Sequence, residues 1–147
     1  MARAARKTTA EDLGSWFLSY GINLLAFHRD PMQLPRVMSN TKLALMTPGL
    51  SDSQLLSMAL EVVHSLIWAY VGFHQIEFLN QIDELLETAS KFSTGDLNLS
   101  LRLAEHRGLS YFYRGSRSNN MSLVETAIGV YEEGLQIAPD GSFAQSR

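Results

Sequence analysis

Two apolar stripes in the last third of the chain, each spaced by threes and fours and the first carrying a glycine, restrict what this sequence can fold into. The first runs through Leu97, Leu101, Ala104, Gly108 and Tyr111, with Arg102, Glu105, Arg107 and Arg114 between them. The second runs through Val124, Ala127, Ile128, Tyr131, Leu135 and Ala138, with Glu125, Glu132, Glu133 and Gln136 on the opposite side. A glycine inside a helix costs about 1 kcal/mol against alanine, so Gly108 needs a compensating reason. Close approach of a second helix supplies one, and Gly108, Ala127 and Gly134 are predicted to form that contact. Ser122 to Glu125 matches a capping box and predicts that the second helix starts at Ser122. Pro139 ends it, with turn chemistry in Asp140 and Gly141. The polar stretch from Gly115 to Met121 reads as an insertion between the two helices.

The rest of the chain repeats the theme. Thr8 to Glu11 is another capping box, followed at helical spacing by Leu13, Trp16, Phe17, Tyr20, Leu24 and Phe27, so a helix is expected to about Arg29. Asp30-Pro31 breaks it, and a shorter helix is expected from Leu34 to Met46, stopped by Thr47-Pro48-Gly49. Ser51 to Gln54 caps a strongly apolar run through Leu55, Met58, Val62, Leu66 and Ala69. Ile76, Leu79, Ile82, Leu86 and Ala89 continue at helical spacing until Ser93-Thr94-Gly95, and Tyr70 to Gln75 reads as either a break or a bend. Hairpin starts near Thr8, Ser51 and Asp96 thus recur at intervals of about 43 to 45 residues, close to the periods of helical repeats.

The order Gly108, Tyr111, Ala127, Tyr131, Gly134, Pro139 resembles the tetratricopeptide repeat, over about residues 97–141. The resemblance implies an all-α, right-handed stack of antiparallel helical hairpins, about six helices in three pairs. One helical-repeat domain is expected over 1–147, with hairpins at about 8–46, 51–93 and 96–139, a basic tail at 1–7 and a second tail at 140–147. An ordinary helical bundle is the alternative. The resemblance also implies that the first helix of each hairpin lines a groove for an extended peptide or a partner helix. In the third hairpin that assigns Arg102, Glu105, Leu109, Phe112 and Tyr113 to partner binding. Arg102 and His106 further occupy the places of two basic residues in the carboxylate clamp of chaperone-binding members, although Leu109 stands where an asparagine would help. The plainer reading of Phe112 and Tyr113 is that one packs on the neighbouring hairpin and the other sits at a solvent edge.

Composition narrows the function classes. The 147 residues are 46% hydrophobic and 18% charged, enough for one real core. A net charge of -3 and scattered Lys and Arg argue against nucleic acid as a partner. There is no cysteine, which removes disulfides, thiol catalysis and thiolate metal sites. Arg3, Arg6 and Lys7 before Leu13 to Phe27 imitate a secretory signal, but Glu11 and Asp12 interrupt the junction. No membrane association is expected, and a cytoplasmic location is.

Candidate chemistry is sparse. Glu61 and His64 have the Glu-x-x-His spacing of di-iron helical bundles, yet the second pair that such a site requires is missing, since His74 and Glu77 stand in reversed order. A partly buried histidine satisfied by a carbonyl or by its neighbouring acid is the simpler account. No nucleophile elbow, phosphate loop or dinucleotide fingerprint appears. The expectation is therefore a non-catalytic interaction or scaffold module with no catalytic residue, metal or cofactor. Its partner would be a protein or peptide, and the last hairpin, which lacks a polar cap, is left free to meet a second copy. Two alternatives stay open: a regulatory domain holding a small apolar ligand in its interior, and a metal-dependent enzyme centred on Glu61 and His64.

Overall fold

The computed structural model describes Ser19 and residues 30–137, and every regular element among these residues is helical, with no strand. Of the expected helix from Thr8 to about Arg29 only Ser19, which is helical, is described, and the two tails lie outside the described residues. A 3-10 turn at Pro31–Gln33, capped by the Asp30 carboxylate accepting from the Met32 N–H, leads into α1, Leu34–Leu45. Four further helices follow: α2 Asp52–Phe73, α3 Ile76–Ala89, α4 Leu97–Ser118 and α5 Met121–Ile137.

The helix boundaries follow from local chemistry. At the start of α2 the Ser51 hydroxyl accepts from the Gln54 N–H at 3.2 Å and the Gln54 side chain accepts from the Ser51 N–H at 2.8 Å, which is the expected reciprocal cap. The segment from Tyr70 to Gln75 is a break rather than a bend. α2 ends at Phe73, and His74 takes a left-handed conformation with φ 58° while donating its N–H to the Tyr70 carbonyl. Two residues thus reverse the chain, and α3 begins at Ile76. Asp96 starts α4 by accepting from the N–H groups of Asn98 and Leu99 at 2.9 and 3.3 Å.

The connection between α4 and α5 differs from expectation. Gly115 to Ser118 are not an insertion, because α4 continues through them and only Asn119 and Asn120 turn the chain. Asn119 adopts φ 55°, and the Asn120 N–H reaches the Gly115 carbonyl at 2.8 Å. Asparagine tolerates the left-handed region well, so the turn is made by asparagines where a glycine would be the usual choice. The Ser122 box is superseded too. α5 begins at Met121, and the Asn120 carboxamide oxygen accepts the Ser122 N–H at 3.0 Å.

One core runs through the helices, with Val37 and Ala44 of α1, Leu56, Leu60, Val62, Val63 and Leu66 of α2, and Phe78, Leu79 and Ile82 of α3 all essentially closed to solvent. α2 pairs with α3, and α4 pairs most extensively with α5. In the second pair Gly108, Ala127 and Gly134 are all buried, as the sequence predicts. The Tyr131 ring lies over Gly108 so closely that a Cβ there would meet ring carbons at 2.8 and 2.9 Å, while Gly134 faces the Ala104 Cβ. The buried edge of α5 is nevertheless shifted from the predicted stripe. Val130 is closed off at 8% exposure, whereas Ile128 and Leu135 remain open at 52% and 46%.

Successive pairs are joined in register. The Asp52 carboxylate accepts the Ser93 N–H at 3.0 Å, and the Ser53 and Thr94 hydroxyls share a hydrogen bond of 2.8 Å, each contact spanning 41 positions. The His64 and His106 rings meet edge-on at 5.8 Å, and the Tyr70 and Tyr113 rings at 5.6 Å. Both ring contacts advance in the same direction along α2 and α4, so these two helices run parallel. α3 lies antiparallel to α4, through Asp83 with Ser110, Asn80 with Arg114, and the His74 carbonyl with Arg117.

Candidate interaction groove

The parallel arrangement of α2 and α4 places two side-chain rows in correspondence. Glu61, His64, Trp68 and Val71 lie along one stripe of α2, at offsets of three, four and three, and Arg102, Glu105, Leu109 and Phe112 repeat those offsets on α4. Each residue of the first row stands 41 positions before its counterpart in the second, the same interval that the Asp52–Ser93 and Ser53–Thr94 contacts span. Trp68 is 66% exposed, Phe112 44% and Val71 40%, so three large apolar side chains meet solvent along these rows.

The five residues assigned from the sequence fall into two groups. Arg102, Glu105, Leu109 and Phe112 share the α4 row, and all but Phe112 are half-buried. Tyr113 does not belong with them. Its half-buried ring packs on Tyr70 of α2 and edge-on against Phe112, so it holds the two helices together beneath the row. The plainer reading of this aromatic pair is therefore the one realised: one packs across to the neighbouring pair, and the other meets solvent. Trp68 sits on the most apolar run of the chain, where a core position is the ordinary expectation, yet it is exposed. The signal was present, since Trp68 shares the offsets of Glu61 and His64 rather than those of Leu55, Met58, Val62 and Leu66.

His64 of the α2 row meets the buried His106 of α4 edge-on. His64 is exposed, not partly buried, and its Nε2 accepts the Trp68 indole N–H at 3.0 Å, so its partner is neither a carbonyl nor an acid. Among the described residues no group of three or more His, Asp or Glu side chains is placed to hold a metal ion. His106 is buried at 5% exposure, and its Nδ1 donates to the Arg102 carbonyl at 2.6 Å. Its Nε2 is enclosed without a partner. Burial pushes the imidazole below its ordinary pKa; the Arg102 carbonyl bond and the Glu105 charge oppose that, while His64 and the Arg102 charge reinforce it. A buried imidazole held neutral cannot serve as a cation, so the two-base carboxylate clamp is left with Arg102 alone.

A second concavity, of about 420 Å³, opens between α3 and α4. Asp83, Glu87, Arg107 and Arg114 place charge on its walls beside Ser110 and Tyr111. Within it Arg114 pairs with Asp83 at 2.6 Å, and Ser110 donates to the same carboxylate. This lining holds a structural ion pair and lies apart from the apolar interior considered from the sequence as a ligand site. Comparison with known family models, curated proteins and solved structures finds no match to this chain.

Proposed function

We propose that this protein is a non-catalytic interaction module, built of stacked helical hairpins resembling tetratricopeptide repeats, that holds a peptide or partner helix across the rows on α2 and α4. The observation that carries the proposal is the pair of matching rows with Trp68, Val71 and Phe112 exposed along them. Exposed tryptophan and phenylalanine flanked by charge have the composition of binding hot spots: the rings give contact area, while Glu61, Arg102 and Glu105 orient the partner. The parallel α2 and α4, each followed by an antiparallel helix, support the repeat-like reading of the described pairs.

The test compares wild type with a Trp68→Ala, Phe112→Ala variant. Both side chains are substantially exposed, so thermal unfolding is expected to change little. Proteins captured by wild type and lost from the variant would then be purified and titrated against both forms, with an expected loss of at least about tenfold in affinity. Equal capture of every protein by both forms removes the groove from consideration.

A further inference from the structure

α5 carries a second apolar row that neither the core nor the groove uses. Met121, Ile128 and Leu135 recur every seven residues and are 66%, 52% and 46% exposed. Val124 and Tyr131 fall between them at the intervening positions of the same heptad, and Ala127 and Gly134 just before each of the later two. Val124 packs toward Gly115, Tyr131 over Gly108, and Ala127 and Gly134 are buried. One half of a coiled-coil seam is thus committed to α4, while its other half faces solvent. A sevenfold apolar period is the spacing that another helix reads by setting its own side chains into the gaps.

The charges beside the row select among partners. Glu125 and Glu132 each stand four residues after a member of the exposed row, so they lie along its solvent edge, and both are exposed. Glu133 adds a third negative charge, and α5 contains no Lys or Arg. A second copy docking through the same face would bring two acidic edges together with no cation on either α5 to offset them, which costs affinity. A helix with lysine or arginine beside its apolar stripe meets the opposite situation. We infer that the outer face of α5 docks a basic amphipathic helix, through Met121, Ile128 and Leu135 for contact and Glu125 and Glu132 for selection. This surface is independent of the rows on α2 and α4.

The test uses the full chain and two synthetic helical peptides of identical leucine heptads, one flanked by lysine and one by glutamate, titrated by fluorescence anisotropy. The lysine peptide is expected to bind at least about tenfold more tightly than the glutamate peptide, and that preference is expected to shrink as salt is raised. Ile128→Asp with Leu135→Asp should abolish binding. Both side chains are already substantially exposed, so circular dichroism should show the variant folded. Glu125→Lys with Glu132→Lys should reverse the preference toward the glutamate peptide, an outcome that loss of folding cannot imitate. The inference is overturned by equal affinity for the two peptides, by binding of neither, or by unchanged binding in the aspartate variant. A stable dimer in sedimentation that the same aspartate pair dissolves would overturn the choice of partner.

Discussion

Replacing Gly108 with alanine tests the contact on which the α4–α5 pair depends. Two terms of opposite sign compete. Alanine in a helix interior is favoured over glycine by about 1 kcal/mol through the entropy of the unfolded chain. Against that, the new Cβ would lie 2.8 Å from Tyr131 Cζ and 2.9 Å from Cε1, well inside van der Waals contact, so the ring or the helix must move. Overpacking of this kind costs about 1–3 kcal/mol, and the half-buried position of Tyr131 allows some relief but no free swing. The net expectation is a loss of about 1 kcal/mol, with Gly129→Ala as the internal control. At Gly129 a Cβ meets nothing within 4 Å, so the same substitution should stabilise by about 0.5–1 kcal/mol. Urea unfolding of both variants measures the difference, and in a Tyr131→Ala background, where the clash is gone, Gly108→Ala should cost less than it does in the wild type. If Gly108→Ala stabilises as much as Gly129→Ala, the close approach of the two helices does not constrain this pair.

Two further outcomes are expected. His106 is held neutral by burial, and its folded pKa lies below the unfolded value near 6.5; the stability it contributes is therefore complete above that value and is lost as pH falls from 6.5 through the folded pKa. Chemical denaturation between pH 5 and about 8 should show this slope, which His106→Gln should flatten, given that His64, Glu105 and Arg102 remain as the neighbouring charged or titratable groups. Asp83→Ala should cost about 1–2 kcal/mol, chiefly because the Ser110 hydroxyl, 5% exposed, loses its acceptor; the partly exposed Arg114 pair adds less. Combining it with Ser110→Ala should restore part of that loss, and purely additive losses would refute the coupling.

What could be read from the sequence, and what could not, divides along a physical line. Local signals worked where one residue dominates: Ser51 with Gln54, Asp96 and the stop after Met46 act through a single hydrogen bond or a proline, independent of the rest of the chain. The polar run from Gly115 to Ser118 looked like a loop because its glycine and serines favour turns, yet tertiary contact overrides that preference. Gly115 is buried, and a Cβ on it would crowd Leu123 and Val124, so the helix persists for the sake of the pairing. The buried face of α5 went astray by one step, because apolar spacing reports which residues share a side and not how many of them a single partner helix can cover. Of the candidate site, Arg102, Glu105, Leu109 and Phe112 were identifiable from the third hairpin. The α2 row became visible only when the parallel contacts fixed which residues stand opposite them.

The links between α2 and α4 sit at both extremities. Asp52 and Ser53 hold the turn before α4 at one end, while Arg117 grasps the carbonyl of His74 at the other. Contacts at both ends resist a hinge-like splaying of the two helices, so on the proposed function a partner lying along them meets a track of preset width. On that reading a guest would have to match the gauge on arrival.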